Sequence, residues 1–111
     1  MGTLKLRSRQ WIVDENDNII MGEGRSQILE TIDKTGSINK TAKIMKMSYK
    51  GVWSKIKATE DHLGAKVVIA DRKQGTRLTP EGKELLEKYR IFKKRCLEEE
   101  EKIFKSIFSS Y

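Results

Sequence analysis

The sequence contains a single cysteine, Cys96, a single histidine, His62, and a single proline, Pro80, among its 111 residues. One cysteine excludes a disulfide within the chain, and one cysteine with one histidine cannot form a zinc site of the usual four-ligand kind. We interpret Cys96 as a small apolar residue on a helix face. His62 stands beside Asp61 and is interpreted as a surface histidine, so no metal site is predicted.

Long apolar runs and catalytic motifs are also missing. There is no stretch of about 18 apolar residues and no signal-peptide core, which predicts a cytoplasmic protein with no membrane contact. We can nominate no carboxylate pair, Ser-His-Asp set or complete phosphate loop, so we predict no cofactor and no enzyme. Residues 21–24, MGEG, begin like a dinucleotide loop, but Gln27 replaces the third glycine. A flexible connection from strand to helix is the favoured interpretation.

Acidic residues are absent from residues 34–57, a segment that carries seven lysines. The formal net charge of the whole chain is +7, and residues 1–33 contribute −2 of it. The positive charge is therefore concentrated in one segment, which indicates a polyanionic partner. Charge alone leaves open whether that partner is a nucleic acid or an anionic membrane surface.

Within this segment, residues 37–57 show two short helical patterns in succession. Ile38, Ala42 and Met45 share one face of the first, and Val52 and Ile56 share one face of the second. A tight connection at residues 46–47 and a serine at 48, a good N-cap, separate them. The pattern predicts a helix-turn-helix, whose second helix lies in the major groove of DNA.

The flanking segments complete a small domain. Residues 4–13 and 18–21 favour strands around a turn at 14–17, and their alternation predicts a β-hairpin with a bulge that buries Leu4, Leu6, Trp11 and Val13. Before the helix-turn-helix, residues 25–34 are predicted to form a first helix. The second helix of the helix-turn-helix is then the third of the chain, and it is predicted to run from 49 to 63. Residues 66–70 and 76–78 surround a basic turn, which predicts a two-stranded wing.

The last helix begins at Pro80, after Thr79 as N-cap. Its apolar stripe extends for about 30 residues, which is more than a small core can cover. We therefore predict that it forms a homodimer contact. The alternative is that its far half folds back on the hairpin of the same chain. The predicted dimerisation residues are Leu85, Tyr89, Phe92, Cys96, Ile103, Phe104 and Ile107.

The predicted fold is mainly α with a small β component: a winged helix-turn-helix with a three-helix core and a two-stranded wing. It is divided into an N-terminal β-hairpin (1–24), a DNA-binding domain (25–79) and a long C-terminal dimerisation helix (80–111).

The exposed start of the recognition helix, residues 48–63, should contact base edges. The predicted base contacts are Ser48, Tyr49, Lys50, Trp53 and Ser54. Lys50 can donate to guanine or to a phosphate, whereas Tyr49 and Trp53 could equally close the core beneath the wing. The predicted phosphate contacts are Ser37, Asn39, Lys40, Lys55, Lys57, Arg72, Lys73 and Arg77, with the wing, residues 66–78, on the backbone or the minor groove.

The segment from Gly36 to Leu86 resembles the winged helix-turn-helix of LysR-type regulators and, more closely, the N-terminal DNA-binding domain of the ModE family of molybdate-responsive regulators. The matching features are the GSI opening, Ala42, the SYK start of the recognition helix with Trp53 after it, and the RLTPxG exit from the wing. The resemblance covers roughly residues 25–95 of the chain. It implies a homodimer on double-stranded DNA with a palindromic operator, and the long helix in the dimer interface.

Two features depart from the ModE pattern. The wing is compact, whereas ModE-like wings often carry a glycine-rich expansion. The 111 residues also leave no room for the oxyanion-binding domains that follow in full-length ModE, so no molybdate-binding domain is expected in this chain. The leading hypothesis is a dimeric, sequence-specific transcriptional regulator. The alternative is a winged-helix module that binds other proteins and assembles a larger complex.

Overall fold

The computed structural model describes residues 3–109 and contains four helices and four short strands within that range. In chain order these are β1 (Ile12–Val13), β2 (Ile19–Met21), α1 (Glu23–Thr35), α2 (Ile38–Met45), α3 (Tyr49–Leu63), β3 (Val68–Asp71), β4 (Gly75–Leu78) and α4 (Pro80–Phe108). The strands form two separate antiparallel pairs, β1 with β2 and β3 with β4. This is the predicted winged helix-turn-helix: α1 to α3 form the core and β3–β4 the wing.

The apolar faces read from the sequence meet in one core. All four helices, the hairpin and the wing contribute buried side chains to it: Ile20, Met21, Ile28, Leu29, Ile32, Ile38, Ala42, Val52, Ile56, Val67, Val68, Leu78, Leu86 and Tyr89. Burying such side chains is the main favourable contribution to folding. The core therefore fixes how α2 and α3 are presented to solvent.

Three helices begin at side-chain caps, of which those at Ser48 and Thr79 were predicted and the one at Ser37 was not. The side chains of Ser37, Ser48 and Thr79 each accept a hydrogen bond from the backbone N–H three residues later. Each bond satisfies a donor that the first helical turn leaves unpaired. The predicted bounds of α3 are confirmed, while α1 begins two residues earlier than predicted.

The N-terminal hairpin is shorter than predicted. Only Ile12 and Val13 form its first strand, and the register shifts between them, whereas the sequence pattern placed the bulge between Leu6 and Trp11. The predicted burial of Leu4, Trp11 and Val13 is wrong, since all three are exposed, and Trp11 is 64 % exposed. The hairpin instead buries Ile20 and Met21 of its second strand.

Residues 3–11, here called the N-terminal arm, run along α4 instead of extending the hairpin. The Ser8 hydroxyl donates to the Glu100 carboxylate, and the Tyr89 hydroxyl donates to the Gln10 carbonyl at 3.0 Å. The arm is therefore held by side-chain contacts with a helix and does not pair with a second strand. This accounts for the failure of the strand prediction.

The connection from β2 to α1 is a single residue, Gly22, and not the flexible loop that residues 21–24 suggested. The indole ring of Trp11 packs directly against Gly22. A Cβ atom at this position would lie 2.7 Å from Trp11 Cδ1. The glycine therefore allows close packing of the arm on the start of α1.

The far half of α4 is partly covered by its own chain, through the N-terminal arm and not through the hairpin as one of the two alternatives proposed. On one side, Phe104 and Phe108 line a groove together with Leu4 and Leu6 of the arm. On another side Ile107 remains 64 % exposed. None of the helices within residues 3–109 has both the length and the apolar character that a membrane span requires.

Candidate nucleic-acid interface

The connection between α2 and α3 is only three residues long and has a defined conformation. Lys46 adopts the left-handed region with φ of 55°, and its amide donates to the carbonyls of Ala42 and Lys43. The amide of Met47 donates to the Ala42 carbonyl at 2.9 Å. These bonds close the C-terminus of α2, and Ser48 then caps α3. The two helices are thus held in a fixed helix-turn-helix geometry.

The solvent-facing side of α3 carries Lys50 and Ser54. Val52 and Ile56 are buried on the opposite side, while Lys50 and Ser54 are exposed. Tyr49, the first residue of the helix, is 50 % exposed. Ser48 accepts from the Gly51 amide at 2.9 Å, which leaves its hydroxyl proton available to a ligand. Four of the five predicted base contacts therefore lie on an accessible surface.

Trp53 is the exception, because its side chain is half-buried and packs against the core. The ammonium group of Lys57 lies 5.9 Å from the centre of its indole ring. The same ammonium lies 3.6 Å from Glu60 Oε1. Lys57 therefore already has partners within the chain, Trp53 and Glu60. The sequence predicted only a phosphate contact for this lysine.

The start of α2 presents a second polar surface. Ser37 is half-buried and uses its hydroxyl oxygen to cap the Lys40 amide at 3.1 Å. Asn39, Lys40 and Lys43 are all exposed. Lys43 shares the exposed face of α2 with Asn39 and Lys40. Positive charge therefore continues from α2 to the start of α3.

The wing carries its basic residues at an ordered turn. The Asp71 carboxylate accepts from the amides of Lys73 and Gln74, at 2.8 and 3.3 Å. These bonds lower the pKa of Asp71 below its ordinary value. Arg72 and Lys73 are exposed at the tip, and Arg77 Nη1 lies 3.9 Å from Asp71 Oδ2. The carboxylate thus organises the turn that presents Arg72 and Lys73.

Glu60 fastens the wing to the recognition helix, a role that the sequence did not reveal. Its carboxylate is buried and accepts from the amides of Val67 and Val68, at 2.9 and 3.3 Å. In the sequence Glu60 only marks the acidic end of α3. A buried carboxylate with two amide donors becomes visible only when the wing has folded onto the helix.

A second bond orients the wing from the other side. The amide of Thr76 donates to the Gly36 carbonyl at 3.0 Å, which ties β4 to the connection between α1 and α2. At the exit of the wing, the amide of Thr79 donates to the Val67 carbonyl at 3.0 Å. The wing is therefore fixed relative to both helices of the helix-turn-helix.

Lys55 lies on a different side of α3 from Lys50. Five residues along an α-helix correspond to a rotation of about 140°. Lys55 accordingly lines a groove with Arg9, Trp11 and Arg25, on the side of the N-terminal hairpin. Arg25 donates to the Ile19 carbonyl and to Thr59 Oγ1, which holds the hairpin against α1 and α3. The structure thus brings Lys50 and Ser54 together but separates Lys55 from them.

The predicted dimerisation residues fall into three groups. Phe92, Ile103 and Ile107 are exposed, while Leu85, Cys96 and Phe104 are half-buried. Tyr89 is only 2 % exposed and belongs to the core of its own chain. Burial also raises the pKa of the Tyr89 phenol. Tyr89 is therefore a correction to the predicted set, because its side chain is already covered without a partner.

Comparison with known proteins agrees with this architecture. The sequence pattern of the family described as "Bacterial regulatory helix-turn-helix protein, lysR family" matches residues 25–83. The molybdenum-pterin-binding protein MopB of Rhodobacter capsulatus is 34 % identical over 87 residues, which are 75 % of this chain and 32 % of MopB. The molybdenum transport protein ModE of Azotobacter vinelandii is 32 % identical over 82 residues, 70 % of this chain and 30 % of ModE. The chain thus spans about a third of the length of these relatives.

Two solved structures share the fold at lower sequence identity. DarR of Vibrio fischeri, determined in complex with DNA, has a TM-score of 0.58 and 23 % identity, covering 79 % of this chain and 30 % of DarR. ArgP of Mycobacterium tuberculosis has a TM-score of 0.53 and 24 % identity, covering 76 % of this chain and 30 % of ArgP. The family pattern includes all three core helices and the wing. The chain therefore belongs to the LysR family of bacterial regulatory helix-turn-helix proteins.

Proposed function

We propose that the chain is a dimeric, sequence-specific DNA-binding protein that regulates transcription. The observation that carries the proposal is the exposed surface of the helix pair, with Asn39, Lys40 and Lys43 exposed on α2 and Lys50 and Ser54 exposed on α3. Within residues 34–57 no acidic side chain interrupts it. A rigid helix pair with a concentrated positive charge fits the phosphate backbone and major groove of duplex DNA.

In this proposal the first turns of α3 enter the major groove. Ser48, Tyr49, Lys50 and Ser54 contact base edges, and Trp53, half-buried against the core, is left with a smaller part in these contacts. Lys50 donates to guanine O6 or N7, and the Tyr49 hydroxyl donates to a base or a phosphate. The exposure of these side chains and the short, fixed turn before them support the assignment.

Phosphate contacts come from three places around α3. Ser37, Asn39 and Lys40 lie at the N-terminus of α2, where free backbone amides and the helix dipole favour anions. The wing supplies Arg72, Lys73 and Arg77 for the adjacent backbone or minor groove, and Lys55 lies on the hairpin side. We assign Lys57 mainly to Trp53 and Glu60, since its ammonium already lies near both.

Self-association through α4 completes the proposed regulator. Its exposed apolar residues, Phe92, Ile103 and Ile107, would otherwise form an unusual patch for a monomer. A twofold dimer binds a DNA site whose two halves are related by the same symmetry. The operator is therefore expected to be a palindrome.

The test is selection of bound duplexes from a random DNA pool by the purified protein. We expect enrichment of one palindromic sequence that is bound with a Kd in about the nanomolar range. Recovery of no common sequence, together with a protein partner that stays bound at high salt, would instead identify a protein-interaction module that assembles a larger complex.

A further inference from the structure

The N-terminal arm carries a second concentration of positive charge. Lys5, Arg7 and Arg9 lie within residues 3–13, a segment that contains no acidic residue. The total of −2 for residues 1–33 conceals this segment, because the hairpin turn and α1 supply all the acidic residues of that range. All three cationic side chains are exposed. The arm therefore presents a basic surface that is separate from residues 34–57.

A groove between the hairpin and α3 joins the arm to the recognition helix. It is called here the hairpin groove, and its lining includes three cationic residues and one tryptophan: Arg9, Arg25, Lys55 and Trp11. The acidic residue in its lining, Glu23, is already paired with Lys93 of α4. Lys55, unlike Lys57, has no ion-pair partner among residues 3–109. Positive charge is therefore in excess in the hairpin groove.

Trp11 forms an aromatic wall of the hairpin groove. It is 64 % exposed, yet its indole ring is held in place by close packing on Gly22. A fixed indole beside cationic groups fits a nucleotide, whose sugar can pack on the ring while its phosphate contacts the cations. A pocket for a small effector molecule would instead be concave and mostly apolar. The chemistry of the groove therefore favours a nucleic-acid backbone.

The basic surface continues from the hairpin groove along the arm. A neighbouring groove shares Arg9 and Glu23 with it and adds Arg7 and Lys93. The two grooves together form a path from α3 toward α4. A charged strand can follow such a path, because its phosphates repeat along its length.

The hairpin groove lies beside the helix face that is proposed to contact bases. Lys55 is rotated by about 140° from Lys50 around α3. A helix with its side chains is about 10–12 Å across, and successive base pairs are about 3.4 Å apart. The groove therefore begins within about four base pairs of those that α3 contacts. Glu60 holds the wing and Thr59 the hairpin, so the two sheets lie on different sides of α3.

We propose that the hairpin groove and the arm bind the sugar-phosphate backbone of the DNA duplex that flanks each half-site. Arg9 and Lys55 contact phosphates, and Trp11 packs on a deoxyribose between them. Arg25, whose guanidinium is held by the Ile19 carbonyl and the Thr59 hydroxyl, adds positive charge to the wall of the groove. This inference rests on the proposed function and adds a contact outside the helix-turn-helix and the wing.

Lengthening the operator tests this contact. The protein is titrated with the selected palindrome, trimmed to the base pairs that the selection recovers, and with the same palindrome extended by about six base pairs at each end. In about 0.1 M salt we expect the extended duplex to bind at least about fivefold more tightly. The gain should not depend on the flanking sequence, because backbone contacts do not read bases.

Arg9→Ala should lose most of this gain and keep the affinity for the short duplex. On the extended duplex it should also reduce the slope of log K against log salt by about 2, one for each copy of Arg9 in a dimer. Lys102→Ala is the matched control, because it removes an equally exposed cation from the far half of α4. It should bind both duplexes as the unchanged protein does.

Tryptophan fluorescence gives an independent measurement. The extended duplex should change the indole emission more than the short duplex does, because only the extended duplex covers Trp11. This difference should be absent in Trp11→Phe. Since Trp11 is largely exposed, the substitution should leave the fold intact.

Equal affinity of the unchanged protein for the two duplexes would overturn this inference and leave the proposed function standing. A gain that Arg9→Ala and Lys102→Ala reduce alike would also overturn it, since the attraction would then not be located in the hairpin groove. Failure to select any duplex would refute the proposed function and this contact with it. Binding of polyglutamate that Arg9→Ala abolishes, without a gain from longer DNA, would assign the groove to an acidic protein instead.

Discussion

Gly82 lies where α4 begins, directly against the wing. A Cβ atom at this position would be 2.1 Å from the Val67 carbonyl oxygen. The RLTPxG segment thus has a physical explanation: Thr79 caps the helix, Pro80 fits its first turn, and Gly82 lets the helix approach the wing backbone. This contact sets where α4 leaves the DNA-binding domain.

We predict that Gly82→Ala lowers the free energy of unfolding by at least about 3 kcal/mol, because backbone must move to accept the methyl group. Gly24→Ala is the matched control, since a Cβ atom there meets nothing within 4 Å. Gly24 is in the first turn of α1, where alanine should be neutral or stabilising by up to about 1 kcal/mol. Urea unfolding measures both, and equal effects of the two substitutions would contradict the assigned contact.

Glu60 makes a second contact on which the wing depends. Glu60→Ala should cost about 2–4 kcal/mol in urea unfolding, because the amides of Val67 and Val68 lose their acceptor inside the protein. Asp61→Ala, at the exposed neighbouring position, should change stability by less than about 0.5 kcal/mol. Unchanged hydrogen exchange at the two valine amides in Glu60→Ala would show that they do not need this carboxylate.

Lys50 and Lys73 should contribute to DNA binding in different ways. Lys50→Ala should relax the preference at particular base pairs by about 1–3 kcal/mol, since a lysine on α3 can donate to a base edge. Lys73→Ala, at the wing tip, should weaken all sequences alike and reduce the salt slope by about 1. Binding to a panel of operator variants separates the two patterns, and the same pattern for both would contradict the assigned roles.

At the scale of elements, helices with an apolar face and a polar cap were the most predictable. The periodicity of α2 and α3, the Ser48 cap and the Thr79-Pro80 start of α4 each rest on interactions between residues close in the chain. The winged helix-turn-helix followed from them. The N-terminal arm did not, because its alternating pattern fits any extended segment and its partner, α4, is distant in sequence.

The candidate site was predictable to the same degree. Exposure of Lys50 and Ser54 follows from their position opposite Val52 and Ile56 on the helix. The burial of Glu60 and the pairing of Lys57 do not follow, because both depend on the wing folding onto α3. Likewise, the periodicity of α4 includes Tyr89 but cannot tell a core residue from a dimer contact.

An ion pair links α1 to α4 and gives the fold a dependence on pH. The Lys93 ammonium, which contacts the Glu23 carboxylate, holds the pKa of that carboxyl below its ordinary value of 4.5. A lowered pKa means that the folded state binds the proton more weakly than the unfolded chain. The stabilisation is therefore present above about pH 4.5 and is lost as the pH falls through the lower, folded-state pKa.

We predict that Glu23→Gln lowers the Tm by about 2 °C at pH 7, a small effect because the pair is partly exposed. The difference from the unchanged protein should shrink between about pH 5 and 3. Glu15→Gln, at an exposed position of the hairpin turn, serves as the control. A difference that stays constant down to about pH 3 would exclude a role for the Glu23 charge.

At the scale of the whole molecule, the two small sheets hold α3 from different sides. The wing is fixed to it by Glu60, and the hairpin is fixed by Thr59, whose hydroxyl donates to the Ile20 carbonyl at 3.0 Å. In the proposed dimer, the long helix α4 carries the module toward a second copy. The positive charge is concentrated in residues 34–57, the helix pair that these contacts hold in place, while the rest of the chain is balanced.

The most direct test of the account is the salt dependence of binding to the selected palindrome, measured by fluorescence anisotropy. Five cationic side chains per chain are proposed at phosphates: Lys40, Lys55, Arg72, Lys73 and Arg77. A dimer should then give a slope of log K against log salt between about −4 and −9, depending on how many of them engage. A scrambled duplex should bind far more weakly. A slope near zero, or equal affinity for the scrambled duplex, would contradict a helix-turn-helix that reads DNA.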